Sequence, residues 1–280
     1  MASVIIAAHN EEAVIGRCLV ALRASAAGAE VIVAANGCSD NTVEIARSHG
    51  SIVVETPAPS KAIALNAGDA IATQFPRIYL DADIVVPLGA VDGLAAILSQ
   101  PGTLAAVPAR KMDVRASSLG VQAYFAINSL LPAANEGLFG RGMIAISEEG
   151  RSRFGDFPIL VADDLFLDSL FSASEKAVSR NVEVTVEAPR ATADLVRRLI
   201  RVRSGNSAMR AAADSGQVRV SVRRADRWAW IRVVVPRRPW LIPAALAYAI
   251  ITLTADVLIL ARRRKSPTWG RDESTRRLRD

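Results

Sequence analysis

A chain of 280 residues can bury a sizeable core, and its two cysteines, Cys18 and Cys38, stand in no CxxC or zinc spacing, which excludes a disulfide scaffold and points to a reducing compartment. With His9 and His49 as its two histidines, it also lacks the makings of a thiolate or imidazole metal centre. The formal charge of +6 is uneven: residues 223–280 hold 14 Lys/Arg against 5 Asp/Glu and residues 1–222 hold 20 against 23, so the basicity sits beside an apolar C-terminal stretch, where membrane headgroups suit it better than nucleic acid.

Short β-rich runs alternate with helix-like segments from the start. SVIIAA, EVIVAA, SIVVE and RIYLDADIVV read as strands; EEAVIGRCLVALRAS, NTVEIARSHG and KAIALNAGDAIATQ read as the helices between them. Continuous rather than alternating apolar runs mark strands buried on both faces, which predicts a mostly parallel, doubly wound Rossmann-like sheet. VDGLAAILSQ then reads as a helix and LAAVPAR as a strand, before a mixed stretch through GLFGRGMIAIS. FPILVADDLFLDSLF, a strand VEVTVEA and an Arg-rich helix DLVRRLIRVRSGNSAMRAAA follow. The composition changes near Trp228, which divides the chain into a domain over residues 1–222 and a basic, hydrophobic segment over 223–280 whose apolar core spans 240–261.

In such sheets ligands bind beyond the carboxyl ends of the strands. The loops expected there are polar: AHNEE, ANGCSDNT, ETPAPSK and DAD. Asp81 and Asp83 end an otherwise apolar strand, where ionised carboxylates are costly to bury without partners. Two hard oxygen donors on neighbouring positions suit Mg²⁺ or Mn²⁺ holding a diphosphate; an isolated Asp-X-Asp more often makes a solvated turn.

VIIAAHNEE, VIVAANGCSDNT, SKAIALNAG, YLDAD, GRGMIAIS and ADDLFL resemble, in order and spacing over roughly residues 3–170, the landmarks of the family 2 glycosyltransferases. That resemblance implies the GT-A fold and an inverting enzyme taking a sugar from a nucleotide diphosphate donor with a divalent cation. It implies Asp81 and Asp83 as metal ligands, Asp81 also touching the donor, and places Glu11, Asn36 and Asp40 toward the donor base and ribose. Asn36 stands where the family more often has Asp, Ala35 replaces the Asp before it, and His9 and Ala7 replace the usual Tyr and Pro, so no base is assigned. Lys61, at a helix start, is expected to meet donor phosphate. Asp163 and Asp164 match the family's late acidic pair, the second resembling the general base; the competing reading is an N-cap of LFLDSLF, with Asp163 capping while Asp164 reacts. Arg198 and Arg201 share a helix face near where relatives carry diphosphate-binding residues, and attraction to a membrane surface explains them equally well. Gly140 and Gly142 would admit close approach of sugar or acceptor.

PRRPWLIPAALAYAIITLTADVLILARRRK is apolar over about membrane-spanning length and bracketed by Arg clusters, with Trp240 at one boundary. Asp256 would be costly in hydrocarbon, and a single crossing would put RRRK and the basic tail on the wrong side for the positive-inside tendency. No cleavable export signal is visible in MASVIIAAHNEE. A re-entrant or surface-lying helix would keep both Arg clusters on one side, so crossing and lying on the membrane both stay open; the expectation is a protein at the cytoplasmic face of the cell membrane, acting on a lipid-linked acceptor of envelope polysaccharide synthesis. A nucleotidyltransferase, which would open with a Gly-rich basic loop, and a catalytically inactive membrane-bound scaffold are the alternatives.

Overall fold

A computed structural model describes residues 1–223 and 226–262; the rest of RRRK after Arg262 and the basic tail lie outside the described residues. The elements in chain order are β1 (Ser3–Ala8), α1 (Ile15–Ser25), β2 (Glu30–Asn36), α2 (Thr42–Ser48), β3 (Ile52–Thr56), α3 (Lys61–Ile71), β4 (Arg77–Asp81), α4 (Ala90–Leu98) and β5 (Ala105–Asp113). Next come α5 (Leu119–Asn128), α6 (Pro132–Glu136), β6 (Met143–Ile146), α7 (Glu148–Arg151), α8 (Asp163–Ser169), β7 (Lys176–Glu187), α9 (Thr192–Asp214) and α10 (Ile242–Arg262).

The strands form one sheet in the order β3-β2-β1-β4-β6-β5-β7. The first four run parallel, as their doubly buried apolar runs predict, and β6 enters antiparallel between β4 and β5. Val4, Ile5, Ile6, Ile32 and Val33 are fully buried, while Ile52 on the outermost strand β3 is exposed. Gly68 lets α3 lie tight on this core: a Cβ there would come within 2.6 Å of the Ile5 side chain.

Contacts divide the chain into two units, Met1–Lys111 with Leu138–Thr185, and Met112–Gly137 with Val186–Asp280. This division crosses the boundary expected at 222/223, because α5 and α9 share a core with α10. In that second unit Val121, Tyr124, Phe125 and Ile127 of α5 and Leu195 of α9 bury against Tyr248 and Ile251 of α10, with Tyr124 and Tyr248 stacked at 5.0 Å. The first unit contains the carboxyl edge of the parallel strands.

Candidate active site

The loops after β1 and β2 are laced together. His9 Nδ1 lies 2.5 Å from the Asn36 carbonyl, and Asn36 Nδ2 donates to the Ala8 carbonyl at 2.8 Å. Ser39 donates its amide to Asn10 Oδ1 at 2.7 Å, with Asn10 in the left-handed region at φ 51°. The Glu11 amide donates to Thr42 Oγ1 at 2.6 Å and the Glu12 amide to Asp40 Oδ2 at 3.1 Å. Glu11 and Asn36 are buried, and the other Asp40 oxygen accepts from the Thr42 hydroxyl at 2.6 Å. Burial works to raise the Asp40 carboxyl, but the Thr42 and Glu12 donors hold it below its ordinary value. Glu11, Asn36 and Asp40 are thus brought together in the framework of the paired loops. Beside them a hollow of about 420 Å³ opens between the ends of β2 and β3, lined by Ala35, Gly37, Cys38, Val43, Glu55, Thr56 and Pro57.

A second constellation gathers at the end of β4. Ser60 caps α3 by accepting from the Ile63 amide, which sets Lys61 in the first turn. The Lys61 ammonium reaches Asp81 Oδ1 at 2.7 Å and Asp163 Oδ2 at 2.9 Å. Burial disfavours the ammonium, yet the charges of Asp163 and Asp81 hold its pKa well above the usual lysine value. Asp163 therefore spends its carboxylate on Lys61 and does not cap α8: the N-cap position is Ala162, with no side-chain capping bond. The expectation that Asp163 caps is corrected here, and the reason is the opposite charge facing it.

Asp164 points elsewhere. Its Oδ2 accepts from the Gly140 amide at 3.1 Å and its Oδ1 from the Leu165 amide at 2.8 Å. Burial first, then the neighbouring Asp163 charge, push its pKa up to about 6 against the pull of Lys61. One helical turn on, Asp168 Oδ1 accepts from the Leu138 amide at 2.9 Å, so two acids of α8 hold the GLFG turn. The turn reaches back to β4, where Asp81 donates its amide to the Gly142 carbonyl at 2.8 Å. Gly142 has φ +69°, and a Cβ there would collide with Ile84 and stand 3.4 Å from Asp81 Oδ2, so only glycine lets the turn close over that carboxylate.

Asp83 lies in the turn after β4, close enough with Asp81 that both charges, added to burial, drive the Cys18 thiol up to about 12. The donor set fits a small hard cation in part. Among the described residues no group of three or more His, Cys, Asp and Glu is arranged as a complete cage. Mg²⁺ and Mn²⁺ sites that take one or two carboxylates and complete their shell with phosphate and water need no such cage. One oxygen of the Asp81 carboxylate, Oδ1, already faces a cation, the Lys61 ammonium.

Further side chains brace the surrounding loops, and of these Arg141 and Arg110 escaped the sequence reading. Asn66 clamps the loop leading to α8 by accepting from the Phe157 amide at 2.7 Å and donating to its carbonyl at 3.1 Å. Arg141, buried in the GRGM turn, donates to the Pro108 carbonyl at 3.0 Å, and Arg110 donates to the Gly140 carbonyl at 3.2 Å. Burial and the nearby Arg110 pull the Arg141 guanidinium down to about 10. The Asp164/Asp168 spacing of four was the one visible signal. Arg198 and Arg201 lie on α9 in the second unit.

Residues 3–148 match the sequence profile of Glycosyl transferase family 2. The chain belongs to that family. Its fold is similar to that of the mannosyltransferase PcManGT from Pyrobaculum calidifontis, solved in complex with GDP-Man and Mn²⁺, at 21% identity and TM-score 0.57 over 93% of this chain and 78% of that one. It is also similar to glucosyl-3-phosphoglycerate synthase from Mycobacterium tuberculosis, solved with Mn²⁺, UDP and glucosyl-3-phosphoglycerate, at 22% identity and TM-score 0.50 over 66% of this chain and 70% of that one. No curated protein matches the chain. The family's GT-A architecture, a mostly parallel sheet with flanking helices, is the one described above, followed here by an apolar C-terminal helix.

Proposed function

We propose that this family member is an inverting glycosyltransferase that moves a sugar from a nucleoside-diphosphate donor to the hydroxyl of a lipid-linked acceptor of envelope polysaccharide synthesis. We place it at the cytoplasmic face of the cell membrane, associated through residues 223–280. The observation that carries the reading is the single lysine, Lys61, tied at once to Asp81 and to Asp163, with Asp164 next in the chain. A donor-side acid and a base-side acid therefore belong to one constellation.

In this reading Glu11, Asn36 and Asp40 build the loops that receive base and ribose, and the hollow between β2 and β3 adjoins them. Asp83 and Asp81 would hold Mg²⁺ or Mn²⁺, which when bound neutralises charge on the departing diphosphate. Lys61 keeps Asp81 oriented and adds a positive charge beside that diphosphate. Asp164 accepts the proton of the acceptor hydroxyl as its oxygen attacks the anomeric carbon; the bond from that carbon to the nucleotide oxygen breaks, and the configuration inverts. Its pKa near 6 leaves it ionised yet basic at neutral pH.

An inactive scaffold would have no use for a carboxyl held so far from its ordinary pKa beside two other acids, and that placement favours the enzyme. The loop after β1, AHNEE, has none of the glycines of a nucleotidyltransferase phosphate loop. The test is a panel of nucleotide sugars with Mn²⁺ and polyprenyl-phosphate or glycolipid acceptors, scored for transfer and for the anomer of the product. A retained anomeric configuration, or transfer at the parental rate by Asp164→Ala, defeats the reading.

A further inference from the structure

We propose that α10 does not cross a bilayer but lies in the surface of an anionic one, so that the second unit is a monotopic membrane-docking module. This rests on the membrane association proposed above and adds its geometry and its lipid preference.

The helix has two unlike apolar faces. Ala245, Tyr248, Ile251 and Ala255 are buried, and α10 packs through them on α5 and α9. Ile242, Leu246, Ile250, Leu253, Val257 and Leu260 are between 47% and 64% exposed and fall on one stripe at three- and four-residue spacing. Asp256, which a crossing helix would drag into hydrocarbon, is ion-paired with Arg203 of α9 at 2.5 Å, and Arg203 also donates to the Thr252 carbonyl at 3.1 Å. Crossing would require either stripping α10 from α5 and α9, which breaks that pair and the Tyr124–Tyr248 stack, or taking α9 along with its Arg197, Arg198, Arg201, Arg203 and Arg210. Neither is compatible with the bilayer core. Lying flat leaves every packed contact in place and gives only the exposed stripe to lipid.

The charge around the stripe names the occupant. Arg227, Arg232, Arg237 and Arg238 are exposed on the segment leading into α10, and Trp228 and Trp240 there are 62% and 69% exposed, as suits a headgroup-level belt. Anionic headgroups complement that rim. A second copy does not: the sequence is basic on both sides of the helix, PRRPW before it and RRRK at 262–265, so pairing two stripes in either direction brings like charges together.

The test uses the full chain with phosphatidylcholine vesicles containing or lacking phosphatidylglycerol. Binding should need the anionic lipid, weaken with salt, and fall at least tenfold in Leu246→Glu/Leu253→Glu, while thermal melting and nucleotide-sugar binding stay parental. Nitroxide labels on Ile242→Cys and Leu253→Cys, in a Cys38→Ser background, should report equal shallow depths; a perpendicular crossing would separate them by about 16 Å. Unequal depths with Leu253 near the midplane overturn the flat geometry while leaving the association standing. Absence of vesicle binding, or a dimer in solution that the double substitution dissolves, overturns the lipid assignment itself. Neither result touches the glycosyl-transfer reading, which the donor-binding measurement scores separately.

Discussion

The Asp163 carboxylate faces the Lys61 ammonium at 2.9 Å, and this contact gives two adjacent acids different tasks. Asp163 is committed to a cation that also holds Asp81, whereas Asp164 turns onto the Gly140 amide and keeps a raised pKa. The proposed chemistry follows from that separation, and so do its tests.

With Asp164 titrating at about 6, kcat/KM should fall about tenfold per pH unit below 6 and level off above it. Asp164→Asn should lose roughly 10²- to 10⁴-fold in transfer, the usual contribution of a general base. Calorimetric affinity for the nucleotide sugar should be unchanged.

The same carboxyl weakens the fold at neutral pH. Its pKa rises from 3.8 to about 6 on folding, so its contribution to stability is full below about 3.8 and is lost as the pH rises through 6. An asparagine is neutral throughout. Asp164→Asn should therefore melt above the parent at pH 8, by up to about 3 kcal/mol at 1.36 kcal/mol per unit, with the gap closing toward pH 4. A gap constant across that range would show that the shift has another origin.

Lys61 is the charge holding the Asp164 pKa down against Asp163. Lys61→Met should move the acidic limb of the pH–rate profile upward, by about one unit for the loss of a close opposite charge. Donor affinity should drop in parallel, and Lys61→Arg should restore part of the profile.

If Asp83 is the main protein ligand of the ion, chelation should abolish transfer by the parent and Mn²⁺ should restore it. Asp83→Ala should respond to neither. Titration calorimetry of Mn²⁺ in the presence of a nucleoside diphosphate should show at least tenfold weaker binding for Asp83→Ala.

Asp168 is buried and paired with Lys176 at 2.9 Å, besides holding the Leu138 amide. Asp168→Ala should cost about 3–5 kcal/mol, because it leaves a largely buried ammonium uncompensated. Denaturant unfolding measures the loss, and the conservative Asp168→Asn should recover the amide bond but not the charge pairing.

The parallel half of the sheet was legible because each strand from Ser3 to Asp81 carries an apolar run bounded by polar loops, a local signal. The insertion of β6 between β4 and β5 was not, since pairing between Leu80 and Met143 is a long-range choice that periodicity does not encode. Likewise EEAVIGRCLVALRAS suggested a helix from Glu11, but α1 begins at Ile15, after a turn in which Val14 and Ile15 both donate their amides to the Glu11 carbonyl. At the site, residue types and order pointed to Lys61, Asp81, Asp163 and Asp164. Which acid takes the lysine depends on where α3 and α8 sit, which only tertiary packing decides. Arg141 was missed because a buried guanidinium in a turn leaves no pattern in one sequence.

Tyr124 and Tyr248 stack across a core whose two halves are separated in sequence by residues 138–185, which belong to the sheet-bearing unit. The pieces 112–137 and 186–262 therefore depend on each other to cover this core. A chimaera that grafts only the C-terminal third from a relative would leave α5 facing a foreign surface. Exchange of this module between family members should succeed only when both fragments travel as a set, which makes it a single heritable unit written in two places.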